Sequence, residues 1–174
     1  INDHNNFHAE EKLKTLDPSN VIFIIGAEIS DYQDHNHYLI FRTDEIIRKG
    51  NAEDYVKHYA EAGALGFIAH PIDRRKDYSF KQYPWTARNC ENFTGMEIWN
   101  FVSNWLRHLN PKVNGLLWVL FPKLCVGKPS RDTLEMWDNY NLQGLKKPAI
   151  GSIDAHTVRL KRFGLRFKIL KHKQ

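Results

Sequence analysis

Apolar and polar positions along the 174-residue chain fall into two alternating kinds of segment. Short apolar runs ending on polar residues suit buried strands, while apolar positions recurring every three or four residues suit amphipathic helices. "NVIFIIGAEIS" (20–30) reads as a strand, and Tyr38–Phe41 within "DHNHYLIFRT" as a second, short one. "NAEDYVKHYAEAG" reads as a helix that Asn51 can cap and Gly63 can stop, with Glu53 and Asp54 in its first turn. "LGFIAHP" is a strand ended by Pro71, and "FTGMEIWN" is another. "SNWLRHLNPKVNGLLWVLF" has helical periodicity broken at Pro111. "SRDTLEMWDNYNLQG" is a helix between Ser130 and Gly144, followed by the strand of "PAIGSIDAH". This alternation predicts an α/β domain of parallel strands joined by helical crossovers.

Length and composition narrow the class. A chain of 174 residues, 42% hydrophobic and 13% aromatic, is one globular domain spanning 1–174. No apolar run approaches the ~20 residues that a spanning helix needs, and no membrane partner is expected. "INDHNNFHAEEKL" lacks the pattern of a signal peptide. Cys90 and Cys125 form no CxxC, which suits a reducing, cytoplasmic setting and argues against a thiolate zinc site. The net charge of +5 is local. The final stretch, 158–174, holds seven of the 25 basic residues and no acid, leaving 18 basic against 20 acidic elsewhere. A basic C-terminal tail over 159–174, rather than a broad nucleic-acid-binding face, is expected.

Chemistry gathers at the ends of the strands. "FIIGAE" ends on Glu28, "LGFIAH" on His70, and "AIGSIDAH" on Asp154 and His156, while "GMEIWN" carries Glu97 and Asn100. In parallel α/β folds the strand C-termini carry function. Buried unpaired carboxylates are costly, so packing alone does not explain this recurrence. Imidazole mixed with carboxylate suits zinc, manganese or iron. Asp154 and His156 share one strand face, which serves a metal, a phosphate or a plain Asp–His hydrogen bond. Glu97 fits the site or a core hydrogen bond. Arg74 and Arg75 follow "HPID" and, with Asn100, are candidates to hold a substrate phosphate. The absence of a Gly-rich phosphate loop and of a GxSxG elbow disfavours ATP-dependent chemistry and serine hydrolysis.

Taken in order, "NDHN", "IGAEIS", "HYLIF", "FIAHP" and "GSIDAH" resemble the motifs of the PHP domain, the polymerase and histidinol phosphatase superfamily. "GMEIWN" and "EMWDNYNLQGLKKPAIGSIDAH" are similar to its small stand-alone phosphoesterases. The resemblance covers nearly the whole chain. It implies a distorted (β/α)7 barrel with a two- or three-metal cleft holding zinc, manganese or iron. It implies hydrolysis of a small phosphorylated substrate by a metal-activated water, without a protein nucleophile. Residue by residue, it implies His4 as a ligand with Asp3 behind it, Glu28 as a bridging carboxylate, and His37, His70, Asp154 and His156 as further ligands. Glu28, His37 and His70 would make the strongest site. Asp154 would join Glu28 at another, and His4 and His156 would share a third. His35 is the fallback for His37. Family members carry a His-x-His strand upstream of the Asp-His motif, whereas this chain begins at Ile1. The expectation is therefore a barrel lacking its first strand and helix, with about one tight metal and less activity than its parent. The alternatives are a catalytically inactive PHP-like module, and a metal-dependent nuclease or nucleic-acid-binding protein using the basic tail.

Overall fold

A computed structural model describes residues 1–13, 22–76, 80–110, 112–156, 158–162 and 165–170. Six strands form one sheet in chain order: β1 (Asn2–His4), β2 (Gly26–Ile29), β3 (Tyr38–Phe41), β4 (Leu65–Ile68), β5 (Gly95–Asn100) and β6 (Ala149–Ser152). Helix α1 (Ala9–Leu13) follows β1, and α2 (Ala52–Glu61) joins β3 to β4. Between β5 and β6 lie α3 (Phe101–His108), α4 (Gly115–Leu120), a 3-10 turn (Pro122–Cys125) and α5 (Arg131–Leu142). The mixed α/β class agrees with the hydrophobic pattern. The first predicted strand shortens, with residues 22–25 outside the sheet and 20–21 outside the described residues. Pro111, the expected helix break, also lies outside them.

The all-parallel expectation does not hold. β1–β2, β4–β5 and β5–β6 are parallel, but β3 runs antiparallel to both β2 and β4. Only residues 30–37 separate β2 from β3, whereas a parallel crossover takes about a dozen residues or more. The chain must therefore turn straight back. The reversal brings the beginning of β3 to the edge where β2 and β4 end.

Strand register then divides the sheet into two faces. Ala27 pairs with Ile40, Tyr38 with both Ile29 and Ile68, and Ile68 with Met96. These side chains pack with Tyr55, Val56 and Tyr59 of α2 in the main core. Each fully buried side chain of this size contributes about 1.5–3 kcal/mol. Gly66 is required here, because a Cβ would strike the Tyr38 hydroxyl. On the other face His4 pairs with Glu28, and Glu28 with Leu39. A second cluster joins Phe80, Val102, Trp105, Leu106, Leu109 and Cys125.

Helix ends follow their caps. Asn100 accepts from Ser103 N–H at the head of α3, and Ser130 accepts from Thr133 N–H at the head of α5. Gly63 and Gly144 close α2 and α5 in left-handed backbone, at φ of 71° and 81°. The expected basic tail is not simply a tail. Val158–Arg162 (β7) and Leu165–Leu170 (β8) pair as an antiparallel hairpin apart from the main sheet. Residues 163, 164 and 171–174 lie outside the described residues.

Candidate metal centre

Glu28 lies at the middle of the polar face, 8% exposed. Its Oε1 is 2.6 Å from His37 Nδ1 and 3.4 Å from His70 Nε2, and its Oε2 is 3.7 Å from His4 Nε2. His4 arrives as the cross-strand neighbour of Glu28 on β1. His37 precedes the reversed β3 and His70 follows β4, and the Ala69 N–H donates to the His37 carbonyl at 3.0 Å. The antiparallel strand thus explains how a His before one strand and a His after the next meet at one carboxylate. Asn5 N–H donates to the Glu28 carbonyl at 2.8 Å, and Gly26 N–H to the Ile1 carbonyl at 2.9 Å, pinning β1 to β2.

These contacts fix the charge state. Burial pushes the Glu28 carboxyl up, but bonds to His37 and His70 and the charge of nearby imidazoles more than offset it, holding it well below its ordinary value. Burial pulls His70 down, yet its bond to Glu28 and the charges of Glu28, Glu97 and Asp73 raise it to about 10. In the absence of a metal, His70 and Glu28 therefore form an ion pair.

A supporting layer holds the ligands. Asn36, buried at left-handed φ of 52°, accepts from Thr86 N–H and Ala87 N–H and donates to Asp31 at 2.7 Å. It ties the turn before His37 to residues 86–87. Glu97 is 1% exposed and accepts the His70 backbone N–H at 2.6 Å, with Asn100 Nδ2 donating to both of its oxygens. Of the two readings of Glu97, the structure shows the core hydrogen bond, one that fixes His70. His70 (φ 27°), Asp154 (φ 52°), Asp34 (φ 58°) and Asn5 (φ 53°) are left-handed non-glycine residues lining one cleft. Such backbone costs of order 1–3 kcal/mol per residue and concentrates at functional sites.

That cleft, about 530 Å³, is lined by all six expected ligands: His4, Glu28, His37, His70, Asp154 and His156. Asp154 and His156 come from beyond β6, at the opposite edge of the sheet from β1. His156 Nδ1 lies 3.0 Å from Asp154 Oδ1, and this bond raises the imidazole. Burial acts to raise Asp154, and the His156 bond overcomes it.

The expected grouping changes. Among the described residues, His4, Glu28 and His37 bring one ligand atom each to within 4.8 Å of one another. His4 thus joins the Glu28–His37 pair rather than His156. Arg75 lines the cleft, but both Asp73 oxygens hold its guanidinium, at 3.1 and 2.7 Å. Arg74 does not line it: it pairs with Asp132 at 2.6 Å on another face, drawn there by the first turn of α5. Asn100 is committed to capping α3 and to Glu97, and donates to Asp154 at 3.3 Å. In this arrangement it positions carboxylates. Asp3 alternates away from His4 along β1, and among the described residues no bond joins them. His35 does not line the cleft. Sequence reading missed Asp34, Lys81 and Tyr83. Lys81 Nζ lies 2.6 Å from Asp34 and 5.0 Å from the centre of the Tyr83 ring, which stacks 4.8 Å from His37. They follow no spacing rule and come together only through the fold.

The donor set fits a divalent cation. Three imidazoles around one carboxylate are borderline ligands suited to zinc or manganese. Two buried ring nitrogens, His37 Nε2 and His70 Nδ1, have no hydrogen-bond partner among the described residues. No protein-family model matches the chain, and no curated protein matches it significantly.

Proposed function

We propose that the protein is a metal-dependent hydrolase of phosphate esters, as its resemblance to the PHP domain implies, built as a member of that barrel fold. One observation carries the reading: a single carboxylate, Glu28, is shared by His4, His37 and His70 at the head of a cleft that Asp154 and His156 also line. Divalent cations bound there would supply Lewis acidity toward phosphate and water. The chain's own residues set the conditions. Glu28 offers its two oxygens to different imidazoles, which suits a bridging role. Glu97 holds the His70 backbone, and Asn36 holds the turn before His37. Lys81 and Arg75 flank Tyr83 on one wall of the cleft, each paired with a carboxylate, Asp34 and Asp73.

With manganese or zinc, the protein is expected to release phosphate from small phosphomonoesters. His70→Ala should lower that rate by on the order of 100-fold or more while leaving circular dichroism unchanged. An unchanged rate in this variant would refute the assignment of the chemistry to this cleft.

A further inference from the structure

The segment between Glu97 and Asp132 contains no acidic residue, but it carries Arg107, Lys112, Lys123, Lys128 and Arg131. It also contains a group of outward-facing apolar side chains. Val113, Leu116, Leu117, Leu120, Phe121 and Leu124 are 50 to 82% exposed. Leu116, Leu117 and Leu120 lie on α4, Val113 lies just before it, and Phe121 and Leu124 lie at and within the turn after it. In a soluble packing these side chains would turn inward. Here Trp118 and Cys125 point inward instead. Trp118 Nε1 donates to the Trp105 carbonyl at 3.1 Å, and Cys125 is buried in the second core cluster. α4 and the 3-10 turn are therefore anchored by their other side, and the apolar group is what they present.

Exposed apolar groups of this size mark an interaction surface. The charge around them decides the partner. Lys112, Lys123 and Lys128 are exposed, and among the described residues none has a carboxylate partner. A second copy packed on this face would bring two cationic rims together. A surface of anionic lipid would neutralise the rim while taking up the leucines. Exposed leucines framed by lysines combine the two contributions that hold a peripheral surface to an anionic membrane, apolar burial and electrostatic attraction.

We propose that α4 and the turn after it form a docking element for anionic membrane surfaces. This differs from the absence of a membrane partner expected from the sequence, which rested on spanning length. It is also compatible with the finding that no helix among the described residues is long and apolar enough to cross a membrane. The proposal is independent of the hydrolytic reading. It does bear on the cleft, because Phe80 and Leu106 belong both to the cluster under α4 and to the cleft wall.

The test is co-sedimentation with vesicles of phosphatidylcholine mixed with phosphatidylserine, and with phosphatidylcholine alone. Binding is expected to the mixed vesicles only. It should weaken roughly tenfold or more in the triple variant Leu116→Ser, Leu120→Ser, Leu124→Ser, and also in Lys112→Glu, Lys123→Glu. All five positions are exposed, and an unchanged melting curve would verify the fold. Failure to bind mixed vesicles overturns the proposal. So does equal binding by the triple variant, which would assign lipid contact to the basic hairpin. A concentration-dependent dimer that the triple variant abolishes, without vesicle binding, would identify a second copy as the occupant and overturn it as well.

Discussion

A single carboxylate serving three imidazoles makes the site sensitive to protons in two directions. The pair Glu28–His70 contributes one stabilisation, seen from both partners. His70 titrates above its ordinary 6.5, at about 10, so the contribution is full below 6.5 and fades as pH rises toward 10. Glu28 titrates well below its ordinary 4.5, so the same contribution also fades as pH falls below the carboxylate range. In chelator, the melting temperature is therefore expected to decline from pH 6.5 toward 10, with His70→Gln flattening that decline. With zinc the trend should reverse over the lower part of this range, because the metal competes with the His70 proton. Melting curves across pH with and without chelator check both limbs. Identical profiles in the two conditions would refute the involvement of His70 in metal binding.

At the scale of elements, the turn between β2 and β3 matters most. It is too short for a crossover, and that shortness both reverses β3 and delivers His37 to Glu28. Asn36 holds it in left-handed backbone and satisfies two backbone N–H groups on residues 86 and 87. Asn36→Ala would leave those donors unpaired and put alanine at positive φ, a cost of about 3 kcal/mol or more. Urea unfolding should show that loss, and calorimetry should show weaker zinc binding. His35→Ala, one residue earlier, should change neither. An Asn36→Ala protein as stable as the parent would mean that the turn is held by other contacts.

Across the whole molecule, the sheet has to curl. Five gaps between strands of about 4.8 Å would separate β1 from β6 by roughly 24 Å in a flat sheet. Yet His4 and His156, from the two edges, line the same cleft. The six strands form a half-barrel, and the polar face lies inside the curve. Under the proposed reading, ligands drawn from both edges would couple metal binding to the fold of the whole sheet. At a free zinc concentration near 100 times the dissociation constant, binding adds about 2.7 kcal/mol. For a chain of this length that is roughly 5–10 °C in melting temperature. His4→Ala and His156→Ala, at opposite edges, should each reduce the shift. A melting temperature indifferent to zinc would disconnect the cluster from metal binding.

How much of this was legible in the sequence depends on the range of the forces involved. Tyr38–Phe41, α2, α5, the Ser130 cap and the two glycine stops follow from periodicity and turn residues, because helices and strands answer to neighbours within a few positions, whereas Asn51 stands at the head of α2 without a side-chain capping bond. Glu28, His70, Asp154 and His156 were readable as strand-end residues for the same reason, with the resemblance adding His4 and His37. The direction of β3 was already implied by an eight-residue connection, but alternation of elements alone hid it. Other features required the folded chain. Arg74 left the cleft because Asp132, 58 positions away, offered a nearer charge. Asn100 became a cap and a holder of carboxylates. Lys81 and Tyr83 joined the site from a loop with no pattern of its own. Local order was set by the sequence through short-range sterics and hydrogen bonds. The partner of each charged side chain was set by the curled sheet, because ion pairing depends on distance in space and not along the chain.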